Sequence, residues 1–157
     1  MTTILVTGGA GYVGSHACKA LAAAGFHPVT YDNLTRGHAQ AVRWGPLVQG
    51  DILDRVRLDR AILEHRPEAV LHFAAYIQVA ESVRDPASYY RNNLVGTLTL
   101  LEAARDHGIP HFVLSSTAAV YGQPSSVPVD ESHPARPLNP YGETKRLAEV
   151  MLQDFAK

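Results

Sequence analysis

The chain has 157 residues and a mass of 17.0 kDa, with 46% hydrophobic and 18% charged residues, enough apolar material for one packed domain and too much for an intrinsically disordered chain. Its 14 Lys and Arg against 15 Asp and Glu give a net charge of −1, without the basic excess of a phosphate-backbone binder, so no nucleic-acid partner is expected. One cysteine (Cys18), no apolar run near the ~20 residues of a membrane span and no secretory-type leader point to a cytoplasmic protein with no membrane partner.

Apolar, β-branched runs at Thr3–Val6, Pro28–Tyr31, Leu47–Val48, Ala69–Phe73 and Phe112–Leu114 predict buried parallel strands. Helical spacing falls between them, over residues 12–24, 54–65, 88–107 and 141–156. Gly25 and Gly108 sit where helix C-caps need positive φ, and Pro86 marks the start of the longest helix. This alternation predicts an α/β fold, a doubly wound parallel sheet of the Rossmann type. Two long connections, 33–46 and 122–140, interrupt it; the second carries Pro124, Pro128, Pro134, Pro137 and Pro140 and excludes helix and central strand. Five strands are read where the dinucleotide fold generally has six. The expectation is therefore an N-terminal portion, residues 1–157, of a longer NAD(P)-binding protein whose last strands and substrate domain lie outside these residues.

The first strand runs into Thr7-Gly8-Gly9-Ala10-Gly11-Tyr12-Val13-Gly14, which satisfies G-x-G-x-x-G from Gly9 and G-x-x-G-x-x-G from Gly8. Such glycines allow a tight turn and bring backbone amides to a pyrophosphate at a helix N-terminus, where the dipole favours negative charge. Asp32 ends the next strand, placed to accept from both adenosine ribose hydroxyls and to repel a 2′-phosphate, so the expected cofactor is NAD. Asp51, after the third strand, reads either as an adenine-side contact or as a solvated turn aspartate. Phe73, Ala74 and Ala75 end the fourth strand, where small residues suit close backbone approach and core packing equally. Tyr141 and Lys145, at i and i+4 on one helix, share a face, and an ammonium beside a phenol favours the phenolate a base needs. Ser115-Ser116-Thr117 sets hydroxyls at the carboxyl edge of the fifth strand. The eight histidines lack metal-ligand spacing, so no metal is expected. Asn33-Leu34-Thr35 is read as an inert glycosylation match, Cys18 as a small buried hydrophobe, and Trp44 as an anchor for its loop.

With these motifs in this order, the chain resembles the extended short-chain dehydrogenase/reductases, the NAD-dependent epimerase/dehydratase family. Segments TGGAGYVGSH, YDNL, GDI, HFAA, ESV, YYRNN, SSTAAVYG and NPYGETK are similar to its branch that inverts C4 of UDP-hexoses through a transient 4-keto sugar. The resemblance implies Tyr141 as catalytic base, Lys145 as its ribose-holding partner and Thr117 as the substrate-side hydroxyl. It implies cofactor contacts at Gly8, Gly11, Tyr12, Val13, Asp32, Asn33, Asp51, Ile52, Phe73, Ala74, Asn92, Ser115 and Lys145. Dehydratase and decarboxylase relatives carry acids just after the threonine, where this chain has Ala118-Ala119. Ile77 stands where some epimerases have a lysine near the pyrophosphate. A UDP-sugar substrate and a homodimer are implied, the dimer formed by helices 88–107 and 141–156 with Leu94, Leu98, Leu101, Leu147 and Met151. The alternatives are another nucleotide-sugar epimerase or dehydratase of the family and a non-catalytic nucleotide-binding fragment. The 157 residues alone are expected to be inactive.

Overall fold

In the computed structural model, which describes residues 1–157, the apolar runs form β1 (Thr3–Thr7), β2 (His27–Asp32), β3 (Leu47–Gln49), β4 (Ala69–His72) and β5 (His111–Leu114). All pair in parallel, in the order β3-β2-β1-β4-β5, with Leu5 of β1 opposite Val29 on one side and Val70 on the other. Parallel strands need covering on both faces, and the helices supply it. On one face Leu5, Val29, Tyr31 and Val70 pack with Leu58, Ala61 and Ile62 of α2 (Arg55–His65) and with Leu100, Ala103 and Ala104 of α5 (Gly96–Asp106). On the other, Ile4 and Val6 pack with Cys18 of α1 (Tyr12–Ala23). Cys18 is the buried small hydrophobe expected.

Helix ends follow their sequence signals. Asp54 caps α2 by accepting from the Arg57 N–H at 3.0 Å. Gly25 and Gly108 take φ of +85° and +67°, and Phe26 and Ile109 donate back to the Leu21 and Ala104 carbonyls at 3.0 and 2.8 Å. Asn139 caps α6 (Pro140–Phe155) through the Gly142 N–H at 2.8 Å.

Three expectations need correction. The helix expected over 88–107 begins at Pro86, as that proline signalled, with Asp85 as its cap, but it has three parts: α4 (Pro86–Tyr89), a π-helical segment (Tyr90–Val95), then α5. A short helix, α3 (Val79–Arg84), was not predicted. The 33–46 connection contains a 3₁₀ turn at Ala39–Ala41, and a second follows β5 at Ala118–Tyr121. Residues 122–139 carry no helix or strand, as their prolines require, but Pro140, expected to close that connection, instead opens α6 at the first helical position, where proline is tolerated. Trp44 anchors its loop by contact rather than burial: it is 40% exposed, with Lys19 Nζ 5.9 Å from its ring centroid. No helix is long and apolar enough to cross a membrane.

The chain divides into two compact units. The first, Met1–Ala75 with Thr99–Ser115, holds the sheet, α1, α2 and most of α5. The second, Tyr76–Leu98 with Ser116–Lys157, holds α3, α4, the π-helical segment and α6.

Candidate functional site

In the first unit, the turn after β1 is fixed by Gly8. Its φ is +75°, and a Cβ there would lie 2.5 Å from the Ala74 backbone nitrogen, so only glycine fits. The turn thereby lies directly against the backbone that follows β4, and Ala74 does both things its small size allowed: it packs on the core and lets Gly8 approach. Tyr12 and Val13 open α1 with exposed side chains, beside the amide-rich start of the helix.

Asp32 is buried, and both its oxygens already accept backbone N–H groups, Ala10 at 3.0 Å and Leu34 at 2.8 Å. Each carboxylate oxygen keeps a further lone pair for a hydroxyl donor. Asn33 and Asp51 are brought together, Asn33 Nδ2 donating to Asp51 Oδ2 at 2.8 Å while Asp51 Oδ1 accepts from the Leu53 N–H at 2.9 Å. The Ile52 side chain belongs to the core. Phe73 packs partly buried against the β1–α1 cluster, Ala75 is half-buried, and Ser115 donates its N–H to the His72 carbonyl at 3.1 Å.

The second unit assembles Thr117, Tyr141 and Lys145. Thr117 caps the Ala118–Tyr121 turn, its Oγ1 accepting from the Ala119 N–H at 3.2 Å. The first turn of α6 packs on that turn: a Cβ on Gly142 would come within 2.8 Å of the Ala119 carbonyl. Glycine between Tyr141 and Glu143 thus sets the helix down close behind Thr117. Tyr141 is half-buried with its ring edge-on to Tyr89, centroids 6.5 Å apart. Lys145, one turn on, is only 4% exposed. Burial pulls its ammonium from 10.5 down to about 8, against the opposing effect of the Glu149 carboxylate.

Asn92 lies in the π-helical segment, buried, with Nδ2 donating to Asn93 Oδ1 at 2.9 Å. Asn93, absent from the sequence expectations, is the hub of this unit. Its Oδ1 also accepts from the Tyr76 N–H at 2.8 Å, and its Nδ2 donates to the Tyr76 carbonyl at 2.9 Å and to Thr144 Oγ1 at 3.2 Å. Thr144 in turn donates to the Tyr141 carbonyl at 2.8 Å, so one amide ties the Tyr76 stretch and the π-helical segment to the helix that carries the tyrosine. Tyr89 is fully buried and its hydroxyl bonds Gln78 and Glu81. Two adjacent asparagines inside a helical stretch are a readable signal, because asparagine is a weak helix former and is retained there for its amide.

The profile of the NAD dependent epimerase/dehydratase family matches residues 4–157. The chain is 60% identical over 152 residues to a UDP-glucose 4-epimerase of Rhizobium meliloti, covering 97% of this chain and 46% of that one. It superposes with a TM-score of 0.97 and 52% identity on the UDP-glucose 4-epimerase of Brucella ovis solved in complex with NAD, covering 99% of this chain and 48% of that chain. The Bifidobacterium longum UDP-glucose 4-epimerase, solved with NAD+ and UDP, gives 0.93 at 34% identity, covering 98% and 48%. The chain thus spans about half the length of the curated relatives it matches. It belongs to the NAD dependent epimerase/dehydratase family.

Proposed function

We propose that this chain is the cofactor-binding domain, residues 1–157, of an NAD-dependent enzyme that inverts C4 of a UDP-hexose, interconverting UDP-glucose and UDP-galactose. The observation that carries the reading is Lys145, an ammonium held at 4% exposure one helical turn from Tyr141. A merely structural lysine would extend to water, since burying the charge opposes folding. The likeness to UDP-glucose 4-epimerases along nearly the whole chain supports the substrate class.

The residues fit NAD. A Cβ on Gly11 would meet only the Gly8 carbonyl, at 3.2 Å, so the space over that helix-opening residue is open for a phosphate. Gly8, Gly11, Tyr12, Val13 and Gly14 would hold the pyrophosphate, and Asp32 the adenosine ribose. Asn33, Asp51 and Ile52 would hold the adenine side. In the first unit, Phe73, Ala74, Ala75 and Ser115 would contribute to the nicotinamide side; in the second, Asn92, Tyr141 and Lys145 carry the remaining cofactor contacts that the family resemblance implies. When bound, NAD supplies a reversible two-electron acceptor for C4 of the sugar. The protein's own part is proton movement and orientation. Tyr141 takes the C4 hydroxyl proton on its phenol oxygen and later returns it, Thr117 holds that oxygen, and Lys145 keeps positive charge beside them. Ala118 and Ala119 offer no acid to expel water, which favours epimerisation over dehydration.

The test uses the complete protein carrying this chain. It should release NAD on denaturation and interconvert UDP-galactose and UDP-glucose without net NADH. Tyr141→Phe should lower turnover roughly 10²–10⁴-fold while NAD stays bound. Net NADH release, or a dehydrated keto-sugar product, would move the chain to another branch of the family. Near-normal turnover in Tyr141→Phe would remove the phenol from its role.

A further inference from the structure

Within the second unit, the face of α6 that carries Lys145 continues to a group with no place in the scheme above. Glu149 follows Lys145 at i+4, on the same side of the helix. Its Oε1 accepts a hydrogen bond from Ser116 Oγ. Ser116 adjoins Thr117, whose hydroxyl caps the turn beneath the start of α6. One carboxylate therefore touches the segment that presents the substrate-side hydroxyl and stands beside the buried ammonium.

We propose that Glu149 is a positioning residue for the catalytic cluster: its carboxylate clamps Ser116 at the exit of β5 and serves as the counter-charge one turn beyond Lys145. The proposal rests on the reading of Tyr141, Lys145 and Thr117 given above and extends it to the residue that orients them. An ammonium at 4% exposure needs a compensating charge, or it is driven neutral. The Tyr141 phenol cannot supply that charge throughout a cycle in which it gains and loses a proton, whereas a carboxylate one turn away can. The bond from Ser116, itself an exposed residue, holds the half-buried Glu149 carboxylate on this face of α6. It also pins the second residue after β5, so the backbone leading into Thr117 is fixed from the helix side.

Of the charged groups near Glu149, Lys145 and Arg146 share its helix; Arg146 is held by Glu143 at 2.6 Å and also faces Tyr90 of the π-helical segment. Ser116 is its neutral partner. Arg146 already has a carboxylate of its own, so the group most exposed to the loss of Glu149 is Lys145.

The test follows the Lys145 side chain by NMR in the complete protein, its Cε resonance assigned by its absence in Lys145→Arg. Glu149→Gln keeps an acceptor for Ser116 and removes the charge. The Lys145 titration should fall by about one pH unit, and the alkaline limb of turnover should move down with it. Glu149→Asp, which keeps the charge, should restore both toward wild type. A purely structural tie between α6 and Ser116 predicts an unmoved Lys145 titration in Glu149→Gln, and that result overturns the proposal. Should Glu149→Gln not fold, the wild-type protein still decides. The Lys145 resonance must show a small step as Glu149 takes its proton at acid pH, and a featureless titration there overturns the proposal too. The NMR measurement needs no substrate. If the protein shows no epimerase activity but Lys145 responds to Glu149, the functional reading fails and the positioning role stands.

Discussion

Gly8 and Gly25 both have positive φ, at +75° and +85°, yet their surroundings assign them different consequences. Nothing lies within 4 Å of a Cβ on Gly25, so Gly25→Ala meets only the backbone penalty, about 1 kcal/mol. A Cβ on Gly8 would strike the backbone of Phe73 and Ala74, 2.7 and 2.5 Å away, and backbone has no rotamer to yield. Gly8→Ala should therefore lower stability by about 3 kcal/mol and displace the turn from the end of β4, while Gly25→Ala should lose only about 1 kcal/mol and leave its turn in place. Urea unfolding of the two variants side by side checks this. Lys145 has the opposite energetic sign. Its ammonium titrates at about 8 in the fold against 10.5 free, so below pH 8 burying the charge opposes folding by up to about 3 kcal/mol. The penalty is complete below pH 8 and fades as pH rises to 10.5, because the unfolded chain then loses the same proton. Lys145→Met should thus be more stable than wild type at pH 7, with the gap closing by about pH 10.5, while turnover is lost. Equal stabilities at pH 7 would mean that the ammonium is better compensated than its burial indicates.

At the scale of elements, α2 and α5 are joined across the sheet face by charge as well as by their apolar sides. Arg55 bonds Asp59 at 2.8 Å and Asp106 at 2.7 Å, and His107 Nε2 lies 2.9 Å from the same Asp59 oxygen. Burial alone would raise the Asp59 carboxyl, but bonds from Arg55 and His107 outweigh it and hold it below the usual range. Its contribution is therefore present above about pH 4 and lost as pH falls through its folded value. Asp59→Asn should lower stability by about 1 kcal/mol at neutral pH and low ionic strength, and by less in 1 M salt, measured by thermal unfolding at both. The same elements show what was readable from residues alone. Strand runs, Gly25, Gly108 and Pro86 gave their elements because each signal is local: β-branched burial, positive φ, a fixed proline φ. The π-helical turn at Tyr90–Val95 was not readable, since one extra residue per turn leaves no mark on apolar spacing. Nor was α3, whose Val79 and Val83 are both exposed and so give no buried stripe to detect. The motif residues of the candidate site were legible because backbone geometry or chemistry restricts them to few residue types. Glu149 was not, because its role depends on Ser116, a partner distant in sequence; for Asn93 the adjacent asparagines offered a signal, but its distant partner Thr144 was not readable.

For the whole molecule, the remaining question is what covers the helices of the second unit. Leu94, Leu98, Leu147 and Met151 are all half-buried in the single chain, while Val95 and Val150 are 49% and 42% exposed on the same helical segments. Leu101, expected to share in this surface, is instead 3% exposed and already buried within one chain. An apolar surface spread over two helices is more than scattered exposed side chains require, and a second copy of the same surface is a natural cover, packing helix pairs into a four-helix bundle. The proposal is a homodimer of the complete protein. Sedimentation or light scattering at micromolar concentration should give twice the monomer mass. Val150→Glu combined with Val95→Glu should shift the protein to monomer, because like charges would then meet across a two-fold interface with no room for water. NAD content should survive the double substitution, since neither residue is among those placed around the cofactor. A wild-type monomer at high micromolar concentration would show that these stripes are covered within the chain's own protein, and would leave the catalytic reading of Tyr141 and Lys145 untouched.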